Sequence, residues 1–187
     1  MTPNAIVYFL IAATLFLVLR LTRHLILTGG IRLPNRAAPP PAAGSPATPF
    51  TARLVDGRVF NSRDHADDGY LLLFISEHCD SCRKLMPKLP ALGRLIGDAG
   101  RRLLLVSFEE DIRTGESLNR LLAENGVHER LAVVSASHPL RRDFNPAETT
   151  PFFCAVADGA VTATGLVGSP AWTRLFESLV PASAARH

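Results

Sequence analysis

The run AIVYFLIAATLFLVL near the N-terminus is almost unbroken hydrocarbon, and no side chain from Met1 to Leu19 is charged. As a helix rising about 1.5 Å per residue, such a run nearly crosses a bilayer. Arg20 and Arg23 extend it toward Leu27, because long basic side chains reach back to the interface. No basic stretch precedes the run and no small-x-small cleavage site follows closely, so it reads as an uncleaved anchor rather than a signal peptide. Leu33 to Pro49, LPNRAAPPPAAGSPATP, has no apolar period and enough proline for a semi-rigid extended spacer. The pattern divides the chain into an anchor with its basic flank (1–32), a spacer (33–49) and a globular domain (50–187).

Within the domain the period changes from segment to segment. FTARLVDGRVF, Phe50 to Phe60, is two short alternating runs about Asp56-Gly57, a dipeptide suited to a type I′ hairpin turn. Tyr70 to Ser76 is continuously apolar, as a strand buried on both faces must be. A helical stripe follows in Leu85, Leu89 and Leu92, with Pro87 and Pro90 expected to kink it. Leu103 to Phe108 predicts a second buried strand, and Leu118, Leu121 and Leu122 a helix stopping at Asn125-Gly126. Leu131 to Ser135 predicts a third strand. Pro151 to Ala157 and Ala160 to Thr164 flank Asp158-Gly159 as a hairpin, and Trp172 to Leu179 closes the domain as a helix. Strands alternating with helices and ending in a hairpin predict an α/β fold with a mixed central sheet flanked by helices.

Charge changes the picture in one respect. The net charge is +3, yet the first 50 residues hold Arg20, Arg23, Arg32 and Arg36 and no acid, which leaves 16 basic against 17 acidic residues elsewhere. The basicity therefore belongs to the edge of the apolar run, and a nucleic-acid partner is not expected. Basic residues on the C-terminal side of a span favour a cytoplasmic domain.

The chemistry lies in Cys79-Asp80-Ser81-Cys82, directly after the buried strand and at the start of the next helix. Backbone N–H groups at a helix start stabilise a thiolate, and two intervening residues let one turn bring the sulfurs together. Cys79, at the exposed end, is the expected attacking thiol and Cys82 the resolving one. Glu77, His78, Asp80 and Ser81 are the immediate neighbours. A carboxylate beside Cys79 would raise its pKa, whereas a protonated His78 would lower it.

LLLFISEHCDSCRKLMP resembles the active-site strand and helix of thioredoxin-like proteins, including Pro87 five positions after the second cysteine. Thr149-Thr150-Pro151-Phe152-Phe153 is similar to the threonine and cis-proline of that fold. The strand-helix segment from Leu103 to Asn125 and the opening VDGRVF resemble the membrane-anchored TlpA and ResA group. The anchor, the linker and the pattern around the cysteines are similar to the MauD family of methylamine-utilisation proteins. The resemblance implies a thioredoxin-like fold and a thiol-disulfide oxidoreductase with a redox-active Cys79-Cys82 disulfide, no cofactor and no metal. Thr150 and Pro151 would present backbone to a substrate strand. The implied partners are a cysteine-containing client protein, a membrane or soluble thiol redox partner and the lipid bilayer. The client would be methylamine dehydrogenase in maturation, or cytochrome c apoprotein. The implied location is a bacterial inner membrane with the domain in the periplasm, opposite to what the charge rule favours.

Three positions depart from the family pattern. His78 stands where Trp is common, Ser81 where Pro is common, and Leu73 where thioredoxins place a buried acid. A thioredoxin-fold binding module or a copper or zinc chaperone is the alternative reading. Cys154 is expected to be a buried core residue, His138 a solvated loop side chain, and Glu109-Glu110-Asp111 a polar turn.

Overall fold

The computed structural model describes residues 3–27, 38–108, 112–128, 130–135 and 137–179. The expected turn at Glu109-Glu110-Asp111 and the first part of the spacer, residues 33–37, lie outside the described residues. Two compact units result, Met1–Ala37 and Ala38–His187.

The first unit contains helix α1, Pro3–Leu27. Among the described residues, no helix is long and apolar enough to cross a membrane. This departs from the expected transmembrane helix.

In the second unit the strands are β1 (Thr51–Arg53), β2 (Val59–Asn61), β3 (Tyr70–Phe74), β4 (Arg102–Ser107), β5 (Arg130–Val133), β6 (Phe152–Ala157) and β7 (Ala160–Leu166). The helices are α2 (Asp80–Leu85), α3 (Leu89–Asp98), α4 (Ile112–Glu124) and α5 (Pro170–Leu179). A five-stranded sheet runs β5-β4-β3-β6-β7, and β1 and β2 form a separate hairpin. β3 pairs parallel with β4 and antiparallel with β6, so the sheet is mixed, as the pattern predicts.

The continuous apolar run of β3 is explained by its two faces. Leu71, Leu73 and Ile75 join one cluster with Cys82, Met86 and Leu89, while Tyr70, Leu72 and Phe74 join a second with Phe50, Phe60 and Phe144. The helices α3, α4 and α5 contribute to the first cluster through Ile96, Leu118 and Leu175. Alternating residues of one central strand thus bind both layers.

The N-terminal segment of this unit closes both sheet edges. Gly44 N donates to Val161 O at 2.8 Å and Ala47 N to Gly159 O at 2.9 Å, along β7. Val55 N donates to Leu131 O at 2.9 Å, beside β5. Unpaired edges invite pairing with other chains, and here one continuous stretch covers them. The compact unit accordingly begins at Ala38 rather than at Phe50, because the last part of the Pro/Ala-rich stretch is hydrogen-bonded to the sheet.

The two Asp-Gly turns differ. Asp158 and Gly159 both have positive φ, 52° and 69°, as a type I′ turn demands. At the first turn only Gly57 is positive, at 85°, so the expected type I′ geometry is not formed there. Leu54 and Val55 are drawn to β5, and Asp56 Oδ1 instead accepts from Arg58 N at 3.0 Å.

Candidate redox site

β3 ends at Phe74 and delivers the chain to the C-terminal edge of the sheet, where Cys79 caps α2. Cys79 is extended, with φ −95° and ψ 113°, and its Sγ accepts from Cys82 N at 3.3 Å. Pro87 breaks the helical run, so α2 passes through a tighter turn at Met86–Lys88 before α3 begins. That is the kink the sequence predicts.

The two thiols stand in unlike surroundings. Cys79 is half-buried, whereas Cys82 is fully buried among Leu73, Ile75, Met86 and Leu89. Burial alone would raise the Cys79 pKa. The Cys82 thiol and the N–H groups of Cys82 and Ser81 donate to its sulfur, the Thr150 side chain adds to them, and the net shift is downward. At Cys82 burial, joined by the neighbouring Cys79, outweighs the lowering by the Ser76 backbone and the Thr150 side chain and pushes the thiol up to about 12. All three cysteines are free thiols.

The second predicted motif comes to the same place. The Thr150–Pro151 peptide is cis, and Cys79 Sγ donates to Thr150 O at 3.5 Å. Residues far apart in sequence therefore meet at one sulfur. Thr150 and Pro151 are partly exposed beside it.

Of the flanking residues, His78, Asp80 and Ser81 are exposed. His78 is 77% exposed and its Nε2 lies 3.5 Å from Glu77 Oε1, while the Glu77 side chain is only 17% exposed. Asp80 is exposed and paired with Arg83 at 2.7 Å, and Ser81 is exposed. Leu73, which stands where thioredoxins place a buried acid, is fully buried in the same cluster as Cys82. Cys154 is buried on the opposite face with Leu72 and Phe74, and burial pushes its thiol up to about 12. Among the described residues no cluster of His, Cys, Asp or Glu is placed to hold a metal. His138 differs from its expected solvated role. Leu140 N donates to its Nδ1 at 3.2 Å, so Nε2 carries the proton and donates to Thr51 O at 3.0 Å, tying β1 to the following turn.

Sequence reasoning passed over residues 139–148. There a helical turn, Leu140–Phe144, leads into the Thr150 segment, and Arg141, Asn145 and Glu148 hold it. Asn145-Pro146 is a turn signal, but nothing local marks Arg141 as different from its neighbour Arg142.

No family model matches the chain, and no curated protein matches it. Solved structures do. A thiol:disulfide interchange protein from a Bacteroides species superposes with TM-score 0.60 at 18% identity, covering 78% of this chain and 95% of that one. The thioredoxin domain of a thiol-disulfide oxidoreductase from Bacteroides vulgatus gives 0.60 at 18% identity, over 75% and 99%. A thioredoxin-family thiol:disulfide interchange protein from Chlorobium tepidum gives 0.60 at 19%, over 74% and 96%. At these identities the likeness establishes the fold, and the fold is thioredoxin-like.

Proposed function

We propose that this protein is a thiol-disulfide oxidoreductase acting on cysteines of a client protein. The carrying observation is the asymmetric pair: a half-buried Cys79 with lowered pKa beside Thr150, backed by a fully buried Cys82 with raised pKa. That division separates attack from resolution. The solved neighbours with this fold are described as thiol:disulfide interchange proteins and a thiol-disulfide oxidoreductase, which supports the same reading.

The test is a glutathione redox titration of the full chain in detergent, following alkylation of Cys79 and Cys82. A single two-electron transition is expected. A potential near about −180 mV identifies a disulfide donor or isomerase, and one near about −270 mV a reductase. Failure of a Cys79-Cys82 disulfide to form at any ratio would overturn the proposal.

The finer reading adds a client and a place. Similarity of the motifs to the MauD, TlpA and ResA proteins supports maturation of methylamine dehydrogenase or of cytochrome c apoprotein. The uncharged run from Met1 to Leu19 supports an anchor in the bilayer of a bacterial inner membrane. The domain would then face the periplasm, where disulfides persist. Alkaline phosphatase fused after Leu179 is expected to be active and to sediment with membranes. An inactive fusion puts the domain in the cytoplasm, and a soluble one removes the anchor.

A further inference from the structure

We propose that Arg141, Asn145 and Glu148 form a clamp that places the Thr149-Thr150 backbone against Cys79, which makes them positioning residues for the exchange. The inference rests on the redox reading above. Asn145 is 1% exposed and joins Thr149 twice: its Nδ2 donates to Thr149 O at 2.8 Å and its Oδ1 accepts from Thr149 N at 3.1 Å. One side chain thereby satisfies both backbone groups of the residue before Thr150, fixing the direction in which Thr150 leaves.

Glu148 adds the second jaw. Its φ is 53°, a left-handed conformation that residues bearing a Cβ adopt reluctantly. Both of its carboxylate oxygens accept from Arg141, Nε and an NH2 nitrogen each at 2.7 Å. This bidentate geometry fixes orientation as well as distance. The Arg141 side chain is 10% exposed, and its guanidinium lies 5.4 Å from the centre of the Phe108 ring. Phe108 stacks on Phe74, the last residue of β3, at 5.2 Å. The clamp is therefore founded on the strand that leads to Cys79, and its other end is two residues from the carbonyl that the thiol meets.

The Thr150 side chain contributes to lowering the Cys79 pKa, so a clamp too loose to hold Thr150 beside the sulfur should raise that pKa. Two variants of the full chain test this, Arg141→Met and Glu148→Gly. Glycine suits the positive φ, so Glu148→Gly removes the carboxylate without straining the backbone. The probes are iodoacetamide alkylation of reduced Cys79 against pH and the reduction of insulin disulfides. Each variant is expected to move the alkylation midpoint upward and to raise KM for insulin by about tenfold, the loss typical of one charge-assisted hydrogen bond. The Arg141→Met/Glu148→Gly double variant should be no worse than the worse single. An unmoved alkylation midpoint in folded Glu148→Gly, or independent, additive effects of the two changes, would overturn the clamp. Wild-type protein that reduces no insulin would sink the redox reading instead, and the alkylation midpoint would still report on the clamp.

Discussion

Cys82→Ser, mixed in reduced form with a disulfide-bearing client, is expected to leave a covalent Cys79-client adduct that persists on a non-reducing gel. Cys79→Ser should form none. The expectation follows from the division of the two thiols. Attack begins with the Cys79 thiolate, which is accessible and stabilised by the Cys82 and Ser81 N–H groups. The Cys79 sulfur bonds to one client sulfur and the other leaves as a thiolate. The Cys82 thiolate then attacks the Cys79 sulfur, giving the Cys79-Cys82 disulfide and releasing the second client thiol, so two electrons pass to the client. Serine at 82 stops the reaction after the first step. Serine at 79 leaves only the fully buried thiols of Cys82 and Cys154, which burial keeps protonated at neutral pH. Exchange should fall at least about a thousandfold. Equal trapping by both variants would show that the assignment of attacker and resolver is wrong.

The clusters around β3 show why so much of this arrangement could be read from the sequence. A strand apolar at every position has to be covered on both faces, and only an α/β fold with a buried central strand does that readily. A Cys-x-x-Cys following such a strand is held at the sheet's C-terminal edge by chain continuity. The pairing of Thr150 with Cys79 was legible only through family resemblance, since no local pattern joins residues 71 positions apart. The clamp was not legible. Arg141 and Arg142 are adjacent and alike in sequence, yet one is buried against Phe108 and Glu148 while the other pairs with Asp143 at the surface. Tertiary packing alone separates them. The same holds for the stretch before Phe50, whose proline and alanine content suggests a free spacer. Its backbone N–H groups find carbonyls at the start of β7 and in the turn before it because that edge offers them.

Resolution of the mixed disulfide is expected to accelerate about tenfold per pH unit between pH 7 and pH 10, because the attacking species is the Cys82 thiolate. Cys82 is pushed up chiefly by burial and secondarily by the neighbouring Cys79 thiol. Once Cys79 is bonded to the client its thiol contribution disappears, but the burial among Leu73, Ile75, Met86 and Leu89 remains. The sign follows directly: a raised thiol pKa leaves the group protonated at neutral pH, and each unit of alkalinity below that pKa multiplies the thiolate tenfold. Thioredoxins place a buried acid, a group able to accept this proton, where this chain has Leu73, a fully buried hydrocarbon. The Cys79-client adduct of the wild type should therefore be visible at pH 7 and vanish at pH 10, as rapid-quench alkylation would measure. A resolution rate independent of pH over that range would mean that Cys82 has another proton acceptor. Glu77, whose side chain is 17% exposed, would be the group to replace with glutamine, and restored pH dependence in Glu77→Gln would identify it.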